Sequence, residues 1–226
     1  MALQVQLSAK LNKNQTLRES IAEVLRTSIM QGVLKPGYKI SEPALASQFG
    51  ISRTPVREAF RQLDSEGFLQ VLPRRGARVA PLTEKDVREF YEIKAEMEGY
   101  AAKLATPHIT DKDLARMELL NNQMEESYRK GDFKRAFRWH NEFHEVFLMA
   151  SGNEQLFHLI RMLVAKFQRF RILLPISGKI EGSFAQHREI IQAFREKDPA
   201  KAQRLVAENA IFGREIMISE ILSEIQ

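Results

Sequence analysis

There is no cysteine anywhere in the 226 residues. Disulfide staples, thiolate nucleophiles and cysteine-ligated zinc are excluded with it, and a reducing compartment is permitted. Long apolar runs are missing too. None approaches the roughly 18 residues that a membrane-spanning helix needs. Low-complexity tracts and internal repeats are absent, and 44% hydrophobic with 28% charged residues excludes a disordered tail, a collagen or a coiled-coil rod. Met1 to Asn14 alternates polar and apolar residues and lacks the apolar core of a signal peptide. The expected location is therefore cytoplasmic, with no membrane partner.

What is present is unevenly charged. Of the 34 basic and 29 acidic residues, twelve and six fall within residues 1–82, so that segment carries +6 and the remainder −1. A basic module joined to a near-neutral one suits a polyanion reader that carries a second, separate function.

Helical periods fill the basic segment. From Thr16, Leu17, Ile21, Val24, Leu25 and Ile29 fall on one helical face, and Gly32 and Lys35-Pro36-Gly37 end it in a turn. A short second helix starts near Ser41, buries Leu45, Ala46 and Phe49, and stops at Gly50. A third runs from Ser52 to about Glu66 with Pro55 in its first turn. Val56, Phe60 and Leu63 face inward, and Arg53, Arg57 and Arg61 form an outward row at i, i+4, i+8. Two helices joined by a tight turn, the second bearing an arginine row, have helix-turn-helix form. The stretches 68–72 and 77–80 have strand character around the basic turn Pro73-Arg74-Arg75-Gly76, which makes a wing.

Leu17-Arg18-Glu19, Lys35-Pro36-Gly37, Ser41-Glu42-Pro43-Ala44-Leu45-Ala46, Ser52-Arg53-Thr54-Pro55-Val56-Arg57-Glu58-Ala59 and Arg75-Gly76 together resemble the winged helix of GntR-type bacterial transcription regulators. The resemblance implies that Arg53, Thr54 and Arg57 face DNA, with Ser52 at the helix start and Arg75 and Gly76 at the wing. Pro43 stands where the family carries an arginine, so that contact is dropped or taken over. The chemistry agrees: guanidinium groups near a helix N-terminus pair bidentately with guanine in a major groove, and hydroxyls and the helix dipole suit phosphate.

After the linker Pro81-Leu82-Thr83 only helical periods follow, at 83–105, 110–129, 132–150, 153–173, 181–196 and 198–223, with Ser151-Gly152-Asn153 and Ser177-Gly178 as breaks. Thr110 and Asp198-Pro199 are helix starts. The expected fold is mainly α: a winged helix-turn-helix over 1–82 and an all-helical bundle over 83–226, which is large and nearly uncharged overall and is the expected dimer contact.

The histidines stand out in this half. His140 and His144 lie one turn apart on a face with Phe133, Phe137 and Phe147, which is zinc-ligand spacing. His187 shares a stripe with Phe184, Ile191 and Phe194, and Asn209 one with Leu205, Phe212 and Ile216. Buried polar groups need partners, and a shared cation would satisfy the imidazoles at once.

Phe143-His144, Ala150-Ser151-Gly152-Asn153, His187-Arg188-Glu189-Ile190 and Asp198-Pro199 resemble the FCD-type subgroup of the same regulators. Many members of that subgroup hold a divalent metal between helices and sense small carboxylates. By that pattern His140 replaces an acidic residue or asparagine, Asn209 replaces a last histidine, and Lys94 replaces a ligand-binding arginine. The resemblance implies a divalent metal, zinc or nickel, on His140, His144 and His187, and an effector near Lys94 and Asn209. No acidic residue is evident beside the imidazoles in the sequence, so a bound ion would complete its shell with an anion. The expected partners are a palindromic DNA operator, a small carboxylate and a second copy of the chain.

A different class, a metal-dependent hydrolase built on His140 and His144, is the alternative. In His140-Asn141-Glu142-Phe143-His144 the glutamate is one place late for a zincin helix and lies about 200° around it from His140. The chain is expected not to be an enzyme.

Overall fold

The computed structural model describes residues 16–30, 32–73, 75–81, 83–171 and 181–225. Met1–Asn14, Arg74, Leu82 and the Ser177-Gly178 break lie outside them. Two compact units result, dividing between residues 81 and 83, with residues 166–171 grouped with the first.

In the first unit the elements are α1 (Leu17–Met30), β1 (Lys39–Ile40), α2 (Glu42–Phe49), α3 (Arg53–Ser65), β2 (Leu69–Leu72) and β3 (Gly76–Val79). Ser41 caps α2 by accepting from the Ala44 N–H. Gly50 ends that helix at φ 63°, a left-handed conformation that lets its N–H reach back to the Ala46 and Ser47 carbonyls. Ile21, Leu25 and Ile29 of α1 meet Leu45 of α2, Val56, Phe60 and Leu63 of α3, and Ala77 and Val79 of β3 in one core. Arg26 of α1 holds Glu66 beyond the end of α3 at 2.7 Å, fastening α1 to α3.

The sheet has three strands in the order β1-β3-β2, all antiparallel. The sequence reading expected two. β1 is only two residues long and has no alternation of its own, and it exists because Lys39 and Ile40 pair with Arg78 and Ala77. Gly76 makes that pairing feasible. Its φ is +85°, and a Cβ there would stand 2.3 Å from the Ile40 carbonyl oxygen.

The second unit is helical throughout its described residues: α4 (Glu84–Ala105), α5 (Asp111–Arg129), α6 (Phe133–Ala150), α7 (Glu154–Arg171), α8 (Glu181–Arg195) and α9 (Pro199–Ile225). Capping boxes at Thr83/Asp86 and Thr110/Asp113 start α4 and α5. Asp198 receives the Ala200 and Lys201 N–H groups at the head of α9, with Pro199 in the first position. α9 lies along α4, α5 along α6, and α8 against α5 and α9. The α4–α9 seam is close because small residues line it; a Cβ on Gly99 would stand 3.0 Å from the Gln203 carbonyl oxygen. Ala102, Met117, Leu120, Phe143, Phe147, Ile190, Phe194 and Val206 form the core. Phe133, expected on the inner face of α6, is 41% exposed; the buried row is Ala136, His140, Phe143, His144 and Phe147.

Candidate functional site: an arginine-bearing helix and a buried histidine cluster

The exposed face of α3 carries Arg53, Thr54, Arg57 and Arg61, opposite the buried Val56, Ala59, Phe60 and Leu63. Ser52 stands at the N-cap in an extended conformation and makes no side-chain capping bond, so its exposed hydroxyl is not consumed by the helix. The first N–H groups of α3 and that hydroxyl form an anion-ready end. Arg57 is more constrained than its row neighbours. Its Nη2 lies 2.9 Å from Glu42 Oε1 and its Nε 3.3 Å from Oε2, and the hydrogen bond to Glu42 raises its pKa further. Arg75 is exposed at the β2–β3 turn, where its N–H closes on the Leu72 carbonyl. Gly76 follows it, half-buried, and its place is dictated by the approach to β1.

In the helical unit, His140, His144 and His187 are all buried, and one ring nitrogen from each lies within 4.8 Å of the others. The rings of His140 and His144 are 4.6 Å apart, and His187 stacks on Phe143 at 4.1 Å. His187 is fully enclosed. Burial pushes its pKa well below the ordinary value, and His144 adds to the push while a hydrogen bond with Asn209 opposes it, so the ring is neutral. Its Nδ1 faces Asn121 Oδ1 at 3.1 Å. Asn209 is also buried, and its Nδ2 donates to Gln186 Oε1 at 2.8 Å and more distantly to Ser183 Oγ.

An acidic residue does lie beside the imidazoles, contrary to the reading from sequence. Glu98 of α4 is 1% exposed, and its Oε2 lies 3.0 Å from His144 Nδ1 and 2.5 Å from Lys94 Nζ. Burial pushes its carboxyl upward, but Lys94 and His144 together overcome that and hold it down to about 2. Glu98 is therefore an anion and Lys94, 5% exposed, is its partner rather than a surface lysine. The available signal was spacing: Lys94 and Glu98 are four apart on one helix, the arrangement in which opposite charges meet. The site thus gathers three imidazoles, one carboxylate, one ammonium and two amides from five helices. Glu142 takes no part in it. It pairs with Arg116 at 2.9 Å, so the glutamate of the zincin-like stretch does not serve the histidine pair.

A winged helix-turn-helix with an exposed arginine row, joined in sequence to a helical unit with a polar cluster at its heart, defines a one-component regulator: a DNA reader and a sensor in one chain. A family model for bacterial regulatory proteins of the gntR family matches residues 17–79, and one for the FCD domain matches residues 89–210. The uncharacterized HTH-type transcriptional regulator YdhC of Bacillus subtilis (strain 168) is 31% identical over 185 residues, covering 80% of this chain and 82% of its own. The HTH-type transcriptional repressor RspR of Escherichia coli (strain K12) is 26% identical over 204 residues, 90% of each chain. Among solved structures, E. coli McbR/YncC shares the fold with a TM-score of 0.70 at 24% identity, over 92% of this chain and 99% of that one. The chain belongs to the gntR family of bacterial regulatory proteins and carries an FCD domain. It is a transcriptional regulator with a DNA-binding and an effector-binding domain, and not an enzyme. Among the described residues no helix is long and apolar enough to cross a membrane.

Proposed function

We propose that the helical unit senses a small carboxylate through a divalent transition metal, zinc or nickel, held by His140, His144 and His187. One observation carries this reading: three buried imidazoles present nitrogens within 4.8 Å of one another inside the effector-binding domain. The donor chemistry fits, because neutral imidazoles are favoured ligands of these ions. When bound, the ion would act as a Lewis acid toward an anionic effector.

The charge balance supports an anion as that effector. Lys94 and Glu98 cancel and the imidazoles that would hold an ion bind it as neutral rings, so a divalent ion would bring two uncompensated positive charges into a buried site. Lys94 supplies a second cation near the cluster, and Asn209 an amide beside His187. Binding among helices that have discrete packings biases one arrangement over another, which is how a sensor signals.

The DNA-binding unit is read as docking α3 in the major groove of a palindromic operator, with Ser52, Arg53, Thr54 and Arg57 at the groove and Arg75 at the backbone. A single recognition helix covers few base pairs, so a homodimer acting in the cytoplasm is the natural form. Metal analysis of protein purified without chelator or a nickel column, followed by a thermal-shift matrix of metals against carboxylates, tests the sensor. About one zinc or nickel per chain, lost in His144→Ala, is the expected result. Equal metal-free preparations with equal responses to carboxylates reduce the site to a packed histidine cluster. Sedimentation of a monomer both free and on DNA would overturn the dimer.

A further inference from the structure

Asn121 sits in the middle of α5 with 1% exposure, and nothing in the effector reading uses it. Its Nδ2 donates to the Phe184 carbonyl at 3.3 Å, and its Oδ1 lies 3.1 Å from His187 Nδ1. The proton positions follow from these contacts. A backbone carbonyl only accepts, so the amide nitrogen must face Phe184 and the amide oxygen must face the ring. An amide oxygen also only accepts, so His187 Nδ1 must carry the proton. A neutral imidazole has one N–H, so the ring's hydrogen bond with Asn209 shares that proton or gives way, and the lone pair is left on Nε2. The same logic acts on a second ring: His144 Nδ1 is 3.0 Å from Glu98 Oε2, an acceptor to which Lys94 Nζ also donates.

We infer that Asn121 and Glu98 are positioning residues that hold His187 and His144 as Nδ1–H tautomers and so present both Nε2 lone pairs to the metal. The inference rests on reading the three histidines as a metal site. Neither residue touches the ion. Each acts through the ring it holds, and partners of this kind are worth roughly 10- to 100-fold in metal affinity. They are also unlike. Asn121 offers a neutral carbonyl whose direction is locked by Phe184, whereas Glu98 offers a full charge that makes the His144 ring a stronger donor.

The test begins without metal. Long-range proton–nitrogen NMR of labelled, chelator-stripped protein reads each histidine's tautomer, and His187 and His144 are expected to show a protonated Nδ1 and a bare Nε2. A protonated Nε2 on either ring overturns the inference, whatever the protein does with metals. Zinc affinity is then measured by competition with a chromophoric chelator. Asn121→Ala is expected to bind zinc about 10- to 100-fold more weakly. Asn121→Asp keeps an acceptor toward Nδ1, and is expected to retain both the tautomer and an affinity within a few-fold of the wild type. Should Asn121→Ala fail to fold, loss of the His187 tautomer in a folded Asn121→Asp protein overturns the inference in its place. Unchanged zinc affinity in a folded Asn121→Ala protein also overturns it. A wild-type protein that binds no zinc is a separate result: it fails the metal site itself, and with it any positioning toward a metal, even where the tautomers are as expected.

Discussion

Arg57 and Glu42 grip each other fork to fork across the turn of the helix-turn-helix, at 2.9 and 3.3 Å. The carboxylate is the more enclosed partner, with 17% side-chain exposure against 57% for the guanidinium. Glu42 thus fixes the plane of a guanidinium whose outer edge stays open, and a fixed plane is what bidentate recognition of a base requires. Removing the carboxylate frees the rotamer and also removes a negative charge from beside the exposed arginine row. Glu42→Ala is therefore expected to bind non-specific duplex more tightly while its preference for a selected operator shrinks. Fluorescence anisotropy with an operator taken from a random duplex pool and with a scrambled one measures both. An unchanged ratio would show that Arg57 needs no such brace.

Arg53 and Arg57 head the exposed row, and each alanine substitution should weaken operator binding roughly ten- to a hundred-fold and relax preference at one base position. Arg75→Ala should instead weaken all sequences alike and reduce the salt slope by about one. A double Arg53→Ala, Arg57→Ala protein with wild-type operator affinity contradicts the assignment of α3 to the groove.

Two glycines separate conformational from steric cost. Gly50 is left-handed, but a Cβ there meets nothing within 4 Å, so Gly50→Ala should cost about 1–2 kcal/mol from backbone strain alone. Gly76→Ala adds a collision with the Ile40 carbonyl and should cost more, with faster amide exchange in β1 and β3. Equal midpoints in denaturant for the two variants would show that the wing yields freely.

The Lys94–Glu98 pair is buried on both sides, so truncating one partner strands the other's charge. Lys94→Met and Glu98→Leu are each expected to lose about 3–5 kcal/mol of stability in urea unfolding of metal-free protein. The double variant should recover much of that, because an apolar pair leaves no orphan charge. Additive losses would mean the two groups do not depend on each other.

Hydrogen bonds from the Thr110 side chain and backbone hold the Asp113 carboxyl below its ordinary value. A depressed folded pKa adds stability above the unfolded pKa, and that gain disappears as pH falls through the folded one. Asp113→Ala should lower Tm at pH 7 and make little difference at a pH well below about 3.9, the free aspartate value. A Tm difference independent of pH assigns the effect to helix propensity alone.

Much of this molecule was legible before its structure. The α3 row and its buried face follow from a 3.6-residue period, and Gly50 from its place between two apolar stripes. His140 and His144 were correctly placed inward because their turn-to-turn spacing matches Phe147. β1 was not legible, since a two-residue strand owes its existence to pairing rather than to its own pattern. Phe133 misled because its first-turn position rests on Tyr128, at 5.4 Å, and not on the main core. Glu98 and Asn121 were hidden for a common reason. Each is a polar residue on a buried helix face, and although spacing marks Lys94 and Glu98 as a pair, only the three-dimensional partners show what that pair and Asn121 hold in place.

The close seam between α4 and α9 has a mechanical consequence. At Gly99 a Cβ would stand 3.0 Å from the Gln203 carbonyl oxygen, and at Gly213 one would stand 3.1 Å from the Tyr91 ring. Two helices so joined have no slack toward each other, since packed interiors scarcely compress. α4, which holds Lys94 and Glu98, and α9, which holds Asn209, therefore move as one body. The capping box at Thr83 and Asp86 makes the start of α4 a firm end of that body rather than a fraying one.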